Sequence, residues 1–124
     1  MALFREQPLI GAEWLTNVAP ESPPPLMTRA AAAARGHCEH WDGSGFPANA
    51  AGASIPIEAR IIAIAEALER LFAQDPEQAA AHLAEGAGRR FDPELVDVAQ
   101  HHLGPLLEAW KAACPSPPEG RQSP

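Results

Sequence analysis

Apolar positions between residues 56 and 73 recur at helical spacing. Ile57, Ile61, Ile64, Ala65, Leu68, Leu71 and Phe72 follow an i, i+4, i+7, i+8 rhythm, which predicts an amphipathic helix with one buried face. Pro56 suits the first helical position and Glu58 the positive end of the helix dipole. Upstream, Leu9, Trp14, Leu15 and Val18, with Ile10 beside them, predict a helix over residues 6–19 that ends at the proline-rich run 20–25. Residues 26–38 form a second helix around five consecutive alanines, whose small side chains permit close approach to a neighbour. Asp75-Pro76 and Asp92-Pro93 each place an Asp cap before a proline at the first helical position, so two further helices start there. The first runs to about Glu85. The second carries a stripe of Leu95, Val98, Ala99, His102 and Leu103 until Gly104-Pro105 breaks or kinks it. Leu106, Leu107 and Trp110 continue the packing in a short last helix. Asp42-Gly43 lacks the alternating apolar flanks of a hairpin. The pattern predicts an all-α protein of five to six short helices, with no strand and no internal repeat.

Composition narrows the picture. At 124 residues the chain holds one domain at most. Much of its 46% hydrophobic content is alanine, so the expected core is modest. A net charge of −7 argues against a nucleic-acid polymer as partner, because phosphate backbones need clustered Lys and Arg. Cys38 and Cys114 do not make a disulfide framework, residues 1–5 lack the features of a signal peptide, and no apolar run approaches the ~18 residues of a membrane span. These features predict a cytoplasmic protein without a membrane association. The helical domain is expected over residues 1–112, with a disordered proline-rich tail over 113–124.

The chemistry concentrates in residues 37–47. His37, Cys38 and His40 are nitrogen and sulfur ligand types, and Glu39 and Asp42 are oxygen ligands. A closed structural zinc site is not expected: a second ligand pair would have to come from His101 and His102, which are adjacent and diverge on a helix, or from Cys114 with one of them. A site fed by His37, Cys38 and a carboxylate from the following helix, Glu66, fits better. Each residue also has a plain reading: His37 as a core histidine, Cys38 as a small buried residue, and Glu39 or Glu66 as ion-pair partners of Arg60 or Arg35.

In order along the chain, His37-Cys38-Glu39, Asp42-Gly43-Ser44-Gly45-Phe46-Pro47, the segment from Ile55 through Ala59-Arg60-Ile61 to Ala65-Glu66, and Phe91-Asp92-Pro93-Glu94-Leu95-Val96 resemble the HD-GYP domain. This is a helical subdivision of the HD phosphohydrolases. The resemblance implies an HD-type helical bundle that lacks the family's N-terminal helices. It implies cyclic di-GMP as the ligand class and a divalent metal, iron, manganese or zinc, as cofactor. It places His37, Cys38 and Glu66 at metal-ligand positions and makes Glu39, Asp42, Gly43, Gly45, Phe46 and Pro47 the motif loop.

The departures from the family pattern carry their own expectation. The His-Asp motif that names the superfamily has no counterpart in this chain. Gln7 stands where the family has a His, Cys38 replaces the second His of the pair, Glu66 replaces an Asp and Phe46 a Tyr. The Arg-Pro-Tyr-Lys segment is missing. No catalytic residue is assigned, and no substrate-binding residue is identified. The reading is a degenerate, catalytically inactive module that acts through protein interaction or weak ligand binding in bacterial signalling. The alternative is a metal-dependent phosphodiesterase whose missing ligands come from another chain. Apolar faces left uncovered predict a homodimer or a protein partner.

Overall fold

The computed structural model describes residues 8–10, 12–13 and 25–114. Its helices are α1 (Pro25–Gly36), α2 (Ile57–Gln74), α3 (Ala79–Gly86), α4 (Pro93–His101) and α5 (Leu103–Ala113), with short 3-10 turns at Gly52–Ser54 and Pro76–Gln78. Residues 8–10 and 12–13 are also helical. The described residues are therefore all-α, with one isolated bridge between Ala87 and Phe91. None of their helices is long and apolar enough to cross a membrane.

The central element is α2, which contacts α1, α3, α4 and α5. The alanine run lets α1 lie close to it. Where they cross, a Cβ on Gly36 would stand 2.8 Å from the Ala59 methyl, so the junction admits only glycine without adjustment. The other side of α2 carries the core, in which Ile64, Leu68, Phe72, Leu83, Phe91 and Val96 are all buried. Full burial of such a side chain is worth about 1.5–3 kcal/mol. Phe72 and Trp110 rings approach to 6.0 Å between centroids and join α5 to this core.

Both proline-linked caps are present. The Asp75 carboxylate accepts from the Glu77 N–H at 3.2 Å and that of Asp92 from the Glu94 N–H at 2.9 Å. Other expectations need correction. Pro56 is the N-cap of α2, with ψ 142°, and is not its first helical residue. Helix α1 starts at Pro25, one residue before the expected Leu26, and ends at Gly36, because His37 and Cys38 already turn into the loop. The buried face of α2 is rotated from the predicted one. Ala59, Ile64, Ala67, Leu68 and Phe72 are inside, whereas Ile57, Ile61 and Ala65 are exposed. On α4 the buried residues are Val96 and Ala99, and Val98 and His102 face out. The break after α4 falls at His102. Pro105 lies in the first turn of α5, where a missing N–H leaves no bond unmade.

Among the described residues of the first predicted helix, Pro8 and Ala12 are buried, and Leu9 and Ile10 are exposed. Trp14, Leu15 and Val18 lie outside the described residues. So do residues 115–124 of the predicted tail; Ala113, counted with that tail, is the last residue of α5.

Candidate functional site

Residues 37–54 connect α1 to α2 as a loop held by specific bonds. The buried carboxylate of Glu39 accepts from the Ala48 N–H at 2.7 Å and the Ala50 N–H at 3.1 Å. Glu39 thus closes the loop on itself and is not the ion-pair partner of Arg60 or Arg35. Phe46 N–H donates to the Cys38 carbonyl at 3.2 Å, Gly43 N–H to that of His40 at 2.8 Å, and the Phe46–Pro47 bond is cis. Gly43 sits at φ 85°. At Gly45 the need for glycine is steric: an added Cβ would collide with the backbone of Cys38, Glu39 and His40. Asp42 is exposed. Its carboxylate accepts from the hydroxyl and amide of Ser44, which hold it below the usual carboxylate range.

The loop is docked from outside by the turn at residues 86–91. Trp41 N–H donates to the Arg90 carbonyl at 3.1 Å and Asp42 N–H to the Arg89 carbonyl at 2.8 Å. That turn itself is built around Gly86, where a Cβ would meet the Phe91 ring at 2.5 Å. A second anchor comes from α2. Arg60 donates through Nε to the Ile55 carbonyl at 2.9 Å and through Nη1 to Asp92 at 2.8 Å, and its guanidinium lies 6.0 Å from the Trp41 ring centroid. Arg60 is therefore a local structural pair. Its partner is Asp92, which the sequence identified only as a cap.

Two of the candidate ligands face one another. His37 Nδ1 lies 2.8 Å from the Ala34 carbonyl and donates to it, which leaves Nε2 as the free nitrogen. Nε2 stands 4.0 Å from Glu66 Oε1, too far for a hydrogen bond. Metal–nitrogen and metal–oxygen bonds of about 2.0–2.2 Å each would put one ion almost on the line between these atoms, a poor bite for a tetrahedral centre. Cys38 is half-buried. Burial pushes its thiol above the usual cysteine value; the Glu66 carboxylate adds to this, Arg90 partly offsets it, and Glu39 contributes a smaller rise. Among the described residues no group of three or more His, Cys, Asp or Glu side chains could hold a metal ion. As arranged, these residues do not complete a multinuclear centre.

Sequence reading missed two arginines, one on α2 and one in the turn that docks the loop. Arg70 follows Glu66 by one helical turn on α2, and Arg90 sits in the docking turn. The Arg90 guanidinium lies 5.3 Å from the Phe91 ring centroid. Its pKa is lowered, first by desolvation and then by Arg70; Cys38 and Glu66 act in the opposite direction. The available signals were the i, i+4 spacing of Glu66 and Arg70 and the Arg89-Arg90 pair just before Phe91-Asp92-Pro93.

Comparison with known proteins places this arrangement. The HD domain family model matches residues 4–95. The chain is 36% identical over 104 residues to the cyclic di-GMP phosphodiesterase response regulator RpfG of Xanthomonas campestris pv. campestris, covering 78% of this chain and 26% of that protein. It is 36% identical over 105 residues to a probable cyclic di-GMP phosphodiesterase of Vibrio cholerae, covering 78% and 21%. With the 3'3'-cGAMP-specific phosphodiesterase 2 of the same organism it shares 41% identity over 92 residues, 68% of this chain and 16% of that one. The chain thus spans about a quarter or less of the length of these relatives.

Proposed function

The chain belongs to the HD domain family, and from that premise we propose that it is a degenerate phosphodiesterase-type module that does not hydrolyse a phosphodiester by itself. It acts through weak binding of a cyclic dinucleotide, or through contact with another protein, in bacterial signalling. The observation that carries this reading is the ligand set. His37 and Glu66 face each other without a third partner among the described residues, and Cys38 stands where the related motif has a second imidazole. Hydrolysis of a phosphodiester through metal needs the attacking water and the leaving oxygen to be held together, which two ligands at this spacing do not support. The intact loop, closed by Glu39 and turned through Gly43 and Gly45, supports retention of the surface shape without the chemistry.

A second reading, a phosphodiesterase completed by ligands from another chain, is favoured by one detail. The bond from His37 Nδ1 to Ala34 presents Nε2 in the tautomer that metal-binding histidines adopt. Metal analysis after chelator-free purification, followed by a cyclic di-GMP hydrolysis assay with added manganese or iron, separates the two. We expect sub-stoichiometric metal and no turnover. Turnover that disappears in His37→Ala would overturn the inactive reading.

A further inference from the structure

We propose that the apolar groove between α2, α4 and α5, rimmed by Glu58, Glu69 and Glu94, docks a basic amphipathic helix of a partner protein. The inference rests on the protein-contact part of the reading above and names its surface and the partner's chemistry.

The groove begins with the apolar stripe of α2, which is wider than the core covers. Ile64 and Leu68 are buried, while Ile61 is left 50% exposed. On the α4 side Ala99 lies at the floor and Val98, 56% exposed, stands in the wall, and Leu106 of α5 completes the lining. The space between them measures about 570 Å³. Walls this exposed leave it open along its length, which suits a helix laid along it better than a small molecule that needs enclosure. From Ile57 to Leu68 the α2 wall runs about 17 Å, room for about three helical turns. The one polar side chain in the lining is His102, whose Nδ1 donates to the Val98 carbonyl at 2.8 Å.

The rim decides the occupant. By helical spacing Glu58 stands one turn before Ile61, Glu69 one turn after Ala65, and Glu94 one turn before Val98. Glu69 and Glu94 are exposed and Glu58 is half-buried, and none of the three makes an ion pair among the described residues. No Lys or Arg lines the groove. Arg60 is engaged by Asp92, Lys111 by Glu108, and Arg70 falls half a turn round α2 from Ile61. A second copy would bring the same carboxylates to its own contact, and like charges across an interface oppose association. The chain's own terminal stretches match no better. Residues 1–24 carry Arg5 against Glu6, Glu13 and Glu21, and residues 115–124 hold no large apolar side chain. A helix with an apolar stripe flanked by Lys or Arg meets both the floor and the rim.

The experiment is fluorescence anisotropy with the full chain, at low ionic strength near neutral pH. The probe is a labelled peptide of about fourteen residues with Leu at i, i+3, i+4 and i+7 and Lys on both flanks. A matched peptide carries Glu in place of each Lys. Saturable binding of the Lys peptide is expected, at least about tenfold tighter than that of the Glu peptide. Ile61→Asp and Val98→Asp should each weaken it at least about tenfold, because a carboxylate then replaces an apolar contact. Both positions are half exposed, so the fold should tolerate these changes. Glu94→Lys, at the exposed rim, gives an independent reading with an expected loss of about threefold. Glu85→Lys, exposed on α3, should change nothing. Equal affinity for the two peptides, or affinity unchanged in both aspartate variants, would overturn the proposal. Sedimentation of the chain alone tests the rival occupant: a dimer that Val98→Asp disperses assigns the groove to a second copy and overturns the basic partner. The two readings fail separately. Cyclic di-GMP turnover in a chain that binds the Lys peptide at the groove removes the inactive reading and leaves the groove. No groove binding in a chain without turnover removes the groove alone.

Discussion

Glycines that look alike in the sequence differ sharply in what surrounds them. Gly45 has backbone on three sides where a Cβ would go, while Gly104 has open space. Backbone cannot move aside as a flexible side chain can, so Gly45→Ala should cost about 1–3 kcal/mol or more. Gly104→Ala, in the first turn of α5, should be neutral or stabilising by up to about 1 kcal/mol. Urea midpoints of the two variants check this directly. The two cysteines divide in the same way. Cys114 is exposed, and Cys38 is half-buried with a raised pKa. Alkylation by iodoacetamide near neutral pH should modify Cys114 first and Cys38 distinctly more slowly. Because the folded state holds the Cys38 proton more tightly than the unfolded chain does, its contribution to stability is complete below the unfolded thiol value. It is lost as pH rises through the folded one. The drop in the urea midpoint between about pH 8 and 10 should therefore be smaller in Cys38→Ser than in the parent.

At the scale of elements, the signals that depend on neighbours in sequence were legible. The Asp-Pro caps and the long α2 helix correspond to observed features, and the HD-type bundle followed from ordered motifs. The facing of each helix was harder to read. Ile57 and Ile61 are as apolar as Ile64, and periodicity alone does not say which edge of a wide stripe points inward. That is decided by α3 and α4, which pack near Ala67, Leu68 and Phe72. Leu83→Ala, at a fully buried position, should accordingly cost about 2–5 kcal/mol. Ile61→Ala, at a residue 50% exposed, should cost about 1 kcal/mol or less. Equilibrium unfolding of both would show whether the rotated face is correct. The Arg60–Asp92 bridge was beyond sequence reading for a related reason: its partners are 32 residues apart and share no periodicity. Arg60→Met leaves a buried carboxylate unpaired and should destabilise by about 3–5 kcal/mol. The double variant Arg60→Met/Asp92→Asn should lose less than the sum of the single losses.

For the whole molecule, the candidate site is a meeting of three distant segments: the loop at 37–54, the face of α2 around Glu66 and Arg70, and the turn at 86–91. Local chemistry in the first was plain in the sequence. The contribution of the last was hidden, because only folding brings the Arg89 and Arg90 carbonyls to the Asp42 and Trp41 amides. The Asp92 side chain has a consequence of a different kind. One of its oxygens caps α4 and the other holds Arg60, which in turn holds the Ile55 carbonyl, so a single buried carboxylate ties the exit of the motif loop to the start of a helix. These segments should consequently open to solvent as one cooperative unit, with the amides of Arg60, Glu94 and Val96 sharing a common exchange free energy instead of fraying separately.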